Sequence, residues 1–270
     1  MRIPEPFLLA FHFDGVLAHS RSNRGDEYGW VGRLADTMAL NAPPNFLVNI
    51  DARQSMAVRS RKHTPVVFDD PNKFAREAFY QERTVFAQNT DAGAVENPSR
   101  RFLLDIAQSA NNASALVREA WANYKSPVDY GITGLDLPKV VALIDAAMPT
   151  QRLLTYMADA VSAFMLDLKR IGRADDVVVM IFSEFGRRVP ENVSLGTDHG
   201  TANLMFVVGN NVKGGHYGKI PSLTDLDEGD NLVYTTDFRR VYASMISGWL
   251  GCKETRSVLN GDFETFDLFV

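Results

Sequence analysis

Two short, unbroken apolar runs rich in β-branched residues constrain this chain more than any other feature: Val177-Val178-Val179-Met180-Ile181-Phe182 and Leu204-Met205-Phe206-Val207-Val208. Neither alternates apolar with polar residues, so each reads as a strand covered on both faces. Between Gln151 and Lys169 the apolar residues Leu154, Met157, Ala158, Val161, Phe164, Met165 and Leu168 recur at three- and four-residue spacing, which predicts one buried helix face. Gly172 follows the last turn as a C-cap. Helices alternating with such strands predict a layered α/β domain with a largely parallel central sheet flanked by helices.

The first half carries weaker signals. Leu8 to Phe13, interrupted by His12, together with Phe46 to Ile50 and Val66 to Phe68, reads as short strands bounded by Pro, Asn or Asp. Residues 69–101 are polar and read as a loop-rich insertion, with Asn89-Thr90-Asp91-Ala92-Gly93 as an exposed turn. Phe102 to Tyr124 predicts a helix broken near Asn111-Asn112, and Pro138 to Ala147 a further helix stopped by Pro149. No repeat or low-complexity tract divides the 270 residues, so a single domain over 1–270 is expected.

Composition narrows the functional classes. A formal charge of -5 gives nucleic acid and anionic lipid no attraction from the global field. The lone cysteine, Cys252, excludes an intramolecular disulfide and a cysteine-cluster zinc site. No apolar run approaches the roughly 20 residues that span a bilayer, so no membrane span is expected. The opening Met1-Arg2-Ile3-Pro4-Glu5-Pro6 does not read as a secretory signal.

Ligands of open α/β sheets gather beyond the carboxyl ends of strands, and three polar clusters fall there. Ser183-Glu184-Phe185-Gly186-Arg187-Arg188 follows the first run. Its carboxylate suits a metal and its guanidinium groups suit a bidentate anion; the alternative is a strand-end turn in which Glu184 pairs with an arginine. Gly196-Thr197-Asp198-His199-Gly200 offers an Asp-His pair of zinc or manganese ligand type, or a self-bonded turn. Lys213-Gly214-Gly215-His216-Tyr217-Gly218 follows the second run and can cradle an oxyanion on glycine-rich backbone, or form a lysine-tipped turn. Beyond it, Thr235-Thr236-Asp237 predicts an N-cap for an amphipathic helix through Tyr242, Met245, Ile246 and Trp249.

Leu8 to Leu17 resembles the opening strand of haloacid-dehalogenase-type phosphatases. His12 stands where that family needs a nucleophilic aspartate, and Asp227-Glu228-Gly229-Asp230 lies in a loop rather than at a strand end, which argues against it. The series Ser183 to Arg188, Gly196 to Asn203, Val212 to Gly218, Pro221 to Asp227 and Thr235 to Tyr242 instead resembles an uncharacterised bacterial family of sulfatase-like proteins of unknown function in the alkaline-phosphatase superfamily. Ser20 to Arg33, ending Gly29-Trp30-Val31-Gly32-Arg33, is similar to an upstream segment of that family.

The resemblance implies a layered alkaline-phosphatase-like domain with a metal site at the strand ends, where phosphate or sulfate esters are hydrolysed. By position it gives metal roles to Glu184 and His199, with Asp198 as a helper. It also implies a twin-arginine leader with export to the periplasm, a first strand ending in a glycine pair and aspartate, and a strand ending Gly-Phe-Asp-Thr-His. In this sequence Asp145 to Thr150 runs directly into Gln151-Arg152-Leu153-Leu154, where that last strand is expected. A catalytic zinc ordinarily takes three protein ligands and an open position. The expectation is therefore a shortened relative with an incomplete site: metal ligands Glu184, Asp198 and His199 holding at most one zinc or manganese ion, and Arg187, Arg188, Lys213 and His216 binding a small anion such as sulfate or a sugar acid. The alternative is a metal-dependent hydrolase of phosphate or sulfate esters.

Overall fold

The computed structural model describes residues 8–11, 28–38, 46–71, 73–74, 97–130, 150–183, 185–193 and 196–270. The predicted helix over 138–147, the exposed turn at 89–93, most of the 69–101 insertion and His12 lie outside these residues. Within them the chain is mixed α/β. Strands β1 (Leu8–Phe11), β2 (Leu47–Ile50) and β3 (Val66–Phe68) form a parallel three-stranded sheet in sequence order. Strand β4 (Val179–Ile181) pairs with β7 (Phe206–Val208), and β5 (Gly186–Glu191) with β6 (Thr197–Gly200).

The last two pairs are antiparallel, which corrects the expectation of one largely parallel sheet joining the two apolar runs. The reason lies between them. Parallel neighbours need a crossover of a dozen or more residues, usually a helix. Here β4 and β7 are separated by the β5–β6 hairpin, which returns the chain in the opposite direction. Nor are these strands covered on both faces: Val177 to Ile181 are half-buried, and Phe182 and Phe206 are exposed.

The core joins the early chain to the late chain. Helix α1 (Trp30–Met38) contributes Trp30, Val31, Leu34 and Ala35; the turn Met56–Val58 contributes Ala57 and Val58. Against them pack Tyr242, Ala243 and Ile246, which lie on α4 (Arg239–Ser244) and its π-helical continuation Met245–Trp249, and Val258 and Leu259 on α5 (Thr255–Leu259). Trp30 and Tyr242 stack with ring centroids 4.3 Å apart, and Phe182 and Phe238 meet Tyr242 edge-on. Burial alone pushes the Tyr242 phenol far above its ordinary pKa.

Gly29 and Gly32 explain the spacing around Trp30. A Cβ on Gly29 would collide with the Met56 and Ala57 carbonyls, and one on Gly32 with the Arg59 carbonyl. Their absence lets the Gly29 N–H donate to Arg59 O at 2.9 Å. Arg33 Nε then donates to Val258 O at 2.6 Å, and Asp36 accepts from the N–H groups of Arg61 and Lys62 at 3.0 and 2.9 Å. The Gly-Trp-Val-Gly-Arg segment is a packing device in this fold.

Helix α2 (Pro98–Asn123) is continuous; Asn111 and Asn112 are exposed, where their side chains need not break it. Helix α3 (Thr150–Arg170) begins at the Thr150–Gln151 junction, both residues of which are helical. Its C-terminus closes as anticipated: Gly172 has φ +68°, its N–H donates to Lys169 O (3.1 Å), and Arg173 N–H donates to Leu168 O (2.8 Å), a Schellman pair. The buried side is turned slightly from the predicted one: Leu168 is buried and Met157, Val161, Phe164 and Met165 are half-buried as expected, Leu154 and Ala158 are exposed, and Ala160, Ala163 and Asp167 are buried beside them.

That rotation buries a carboxylate. Asp167, 4% exposed, accepts from Tyr124 Oη (2.6 Å), Tyr130 Oη (3.2 Å) and Arg170 Nε (3.0 Å). Arg170 also donates to Tyr124 Oη at 2.9 Å. Burial opposes ionisation of Asp167, but the hydrogen bonds from Tyr124, Ser126, Arg170 and Tyr130 outweigh it and hold the carboxyl below its usual range. Burial and the same carboxylate push the Tyr130 phenol up to about 12.

Trp30→Ala should cost about 3–5 kcal/mol, the usual range for a buried aromatic, and Gly32→Ala about 1–3 kcal/mol through overpacking, both read by urea denaturation. Because the folded-state pKa of Asp167 is depressed, its stabilisation is present above the ordinary aspartate pKa of about 3.9 and is lost as pH falls below it. Urea midpoints measured from pH 6 downward should fall more steeply in the parent than in Asp167→Asn.

Candidate functional site

The β5–β6 hairpin gathers the chemistry anticipated around residues 183–200. Its turn is closed by Asn192 N–H donating to Gly196 O (2.9 Å) and Gly196 N–H donating to Asn192 Oδ1 (3.1 Å). A Cβ on Gly186 would overlap the Ala202 carbonyl, and one on Gly200 would press on the Arg187 backbone, so both ends of the pairing need glycine. Asn203 Nδ2 holds Ser183 O at 2.8 Å and fixes the approach from β4.

Arg187 and His199 are register partners and therefore share one face. Phe185 sits between their functions: its ring stacks on the His199 imidazole with centroids 3.7 Å apart, and the Arg187 guanidinium carbon lies 5.3 Å from its centroid. Arg187 Nη1 donates to Thr197 O at 2.7 Å, which steadies the guanidinium fork. The face combines a guanidinium group with an imidazole, both on exposed residues.

Asp198 does not join it. Successive strand residues point to opposite faces, and Asp198 Oδ1 accepts from Asn192 Nδ2 at 3.0 Å on the far side from the Phe185 stack. The Asp-His pair is thus neither a self-bonded turn nor, in this arrangement, two ligands for one ion. Glu184 lies outside the described residues. Among the described residues no three His, Cys, Asp or Glu side chains come together to hold a metal. Of the three metal ligands that the resemblance implies, Asp198 and His199 are thus on opposite faces of the hairpin, and the third, Glu184, is the one not described.

The remaining basic residues separate from this face. Arg188 follows Arg187 onto the other side, where its charge adds to the effect of hydrogen bonds from Asn231 and Gly229 that hold the Asp227 carboxyl below its usual range. Lys213 Nζ pairs with Asp267 Oδ2 at 2.6 Å, and His216 is exposed on the glycine-rich loop. Asp237, expected as a cap, accepts from Arg239 N–H at 2.9 Å as the chain enters α4. The Arg239 side chain holds its carboxyl below the usual range.

Residues 145–241 match the model of a family described as "Protein of unknown function (DUF1501)". No curated protein and no solved structure matches the chain. The matched stretch takes in α3, β4, the hairpin, β7 and the lysine loop, and ends beside Tyr242. Among the described residues no helix is long and apolar enough to cross a membrane.

The sequence pointed to Arg187 and His199 separately; it did not reveal Phe185, whose aromatic ring between two polar clusters was the only available sign. Phe185→Leu should move the His199 ring proton resonances downfield, toward their unstacked positions, by removing the aromatic ring above them. Backbone amide shifts away from the hairpin should stay in place in the same NMR spectra.

Proposed function

We propose that this chain is a sulfatase- or phosphatase-like domain with an incomplete metal site, which binds small anions and does not turn over esters. The observation that carries this reading is the pairing of Arg187 with His199 on one exposed hairpin face while Asp198 is turned away to Asn192. An oxyanion at that face meets the guanidinium fork and an imidazole nitrogen held in place by Phe185. A layered alkaline-phosphatase-like architecture is part of the proposal and rests on the motif series from Ser183 to Tyr242.

The chemistry on this face is binding chemistry. Arg187 cannot serve as a proton acceptor, and the described residues bring no carboxylate to His199 that would orient it as a general base. Sulfate and phosphate are the simplest ligands with the required charge and oxygen geometry.

Calorimetric titration with sulfate and with inorganic phosphate tests the reading, together with elemental analysis after exposure to zinc and manganese. Binding should weaken by about tenfold or more in Arg187→Ala, the cost of one charge-assisted hydrogen bond, with no ester hydrolysis in either protein. Stoichiometric metal and ester turnover, both lost in His199→Ala, would replace this reading with that of a metal-dependent phosphate or sulfate ester hydrolase.

A further inference from the structure

We infer that the Lys213–His216 loop is a second oxyanion-binding element whose ligand position is filled by Asp267 from the chain's own C-terminal tail. This rests on the anion-binding reading above and adds the regulation of one of its cations. The tail is laid along the loop by backbone contacts: Lys213 N–H donates to Leu268 O at 2.7 Å, Val212 bridges Phe269, and Val270 N–H donates to Asn211 O at 3.0 Å. Phe266 N–H donates to Ser244 Oγ at 2.8 Å, and Tyr217 Oη reaches the carbonyls of Lys213 and Asp267 at 3.1 and 3.3 Å.

None of these bonds uses the Asp267 carboxylate. Its one ion pair is with Lys213 Nζ at 2.6 Å, and the Asp267 side chain is 84% exposed. A carboxylate oxygen on an ammonium group stands where an oxygen of a phosphate or sulfate would. Around it the loop is open: Gly214 has nothing within 4 Å of where a Cβ would be, Gly215 has φ +153°, and His216 is exposed. The glycines leave the backbone approachable by a ligand. An exposed pair of this kind contributes on the order of 0–1 kcal/mol, so a free anion can displace the carboxylate while the tail backbone stays in place.

Titration with inorganic phosphate at low ionic strength, in a double-mutant cycle, tests the inference. Asp267→Asn should tighten binding by up to about fivefold, the factor equivalent to a 1 kcal/mol competitor. The gain should vanish in Lys213→Gln/Asp267→Asn and persist in Arg187→Ala/Asp267→Asn. Asp262→Asn, the same charge change elsewhere on the tail, should leave affinity unchanged. The inference is overturned if Asp267→Asn binds as the parent does, if the gain survives loss of Lys213, or if Asp262→Asn reproduces it. Parent binding that depends on Arg187 but ignores Asp267 would leave the anion-binding reading standing and remove only this one. Absence of phosphate binding in every protein would remove both.

Discussion

The stack of Trp30 on Tyr242 is the contact on which the rest of the described structure depends. It joins a helix that begins near the N-terminal end to one that lies near the C-terminal end, and Phe182 at the end of β4 packs edge-on against both rings. Through Phe182 the stack fixes where β4 stops and the hairpin begins. Tyr242 in turn carries α4, whose Ser244 holds the C-terminal tail, so the lysine loop is positioned by the same core. Close aromatic packing of this kind adds specific geometry to the large apolar area it buries.

Local signals were the most legible part of the sequence. The strand positions at 8–11, 47–50, 66–68, 179–181 and 206–208, the helix ending at Gly172 and the turn at Asp237 all follow from residue types whose effect acts over a few neighbours. Pairing was not legible, because an apolar run does not encode which strand it will meet. The β4–β7 pair is antiparallel for a reason located in the intervening residues, where glycines at 186 and 200 allow a tight hairpin. The face of α3 is legible in part. Apolar spacing finds Met157, Val161, Phe164, Met165 and Leu168, but the buried side also includes Asp167, which is charged and so invisible to a hydrophobic pattern.

The candidate site was legible as residues and not as an arrangement. Arg187, Asp198 and His199 were all singled out, yet strand alternation separates two neighbours in sequence and unites two residues that lie twelve positions apart. Sequence proximity suggested that Asp198 and His199 act together; the pleat assigns His199 to Arg187 instead. Likewise the Gly-Trp-Val-Gly-Arg segment, which carries part of the family resemblance, is accounted for by close backbone approach and by Arg33 bonding to Val258.

The Asp167 cluster has a consequence for how the two long helices are held together. Tyr124 directly follows the last residue of α2, Tyr130 lies six residues further on, and both phenols donate to one carboxylate in the last turn of α3. Arg170, in the same turn, bonds both the carboxylate and the Tyr124 hydroxyl. The C-terminal ends of the two helices are therefore joined through a single buried charge, so a change at Asp167 is felt by both at once.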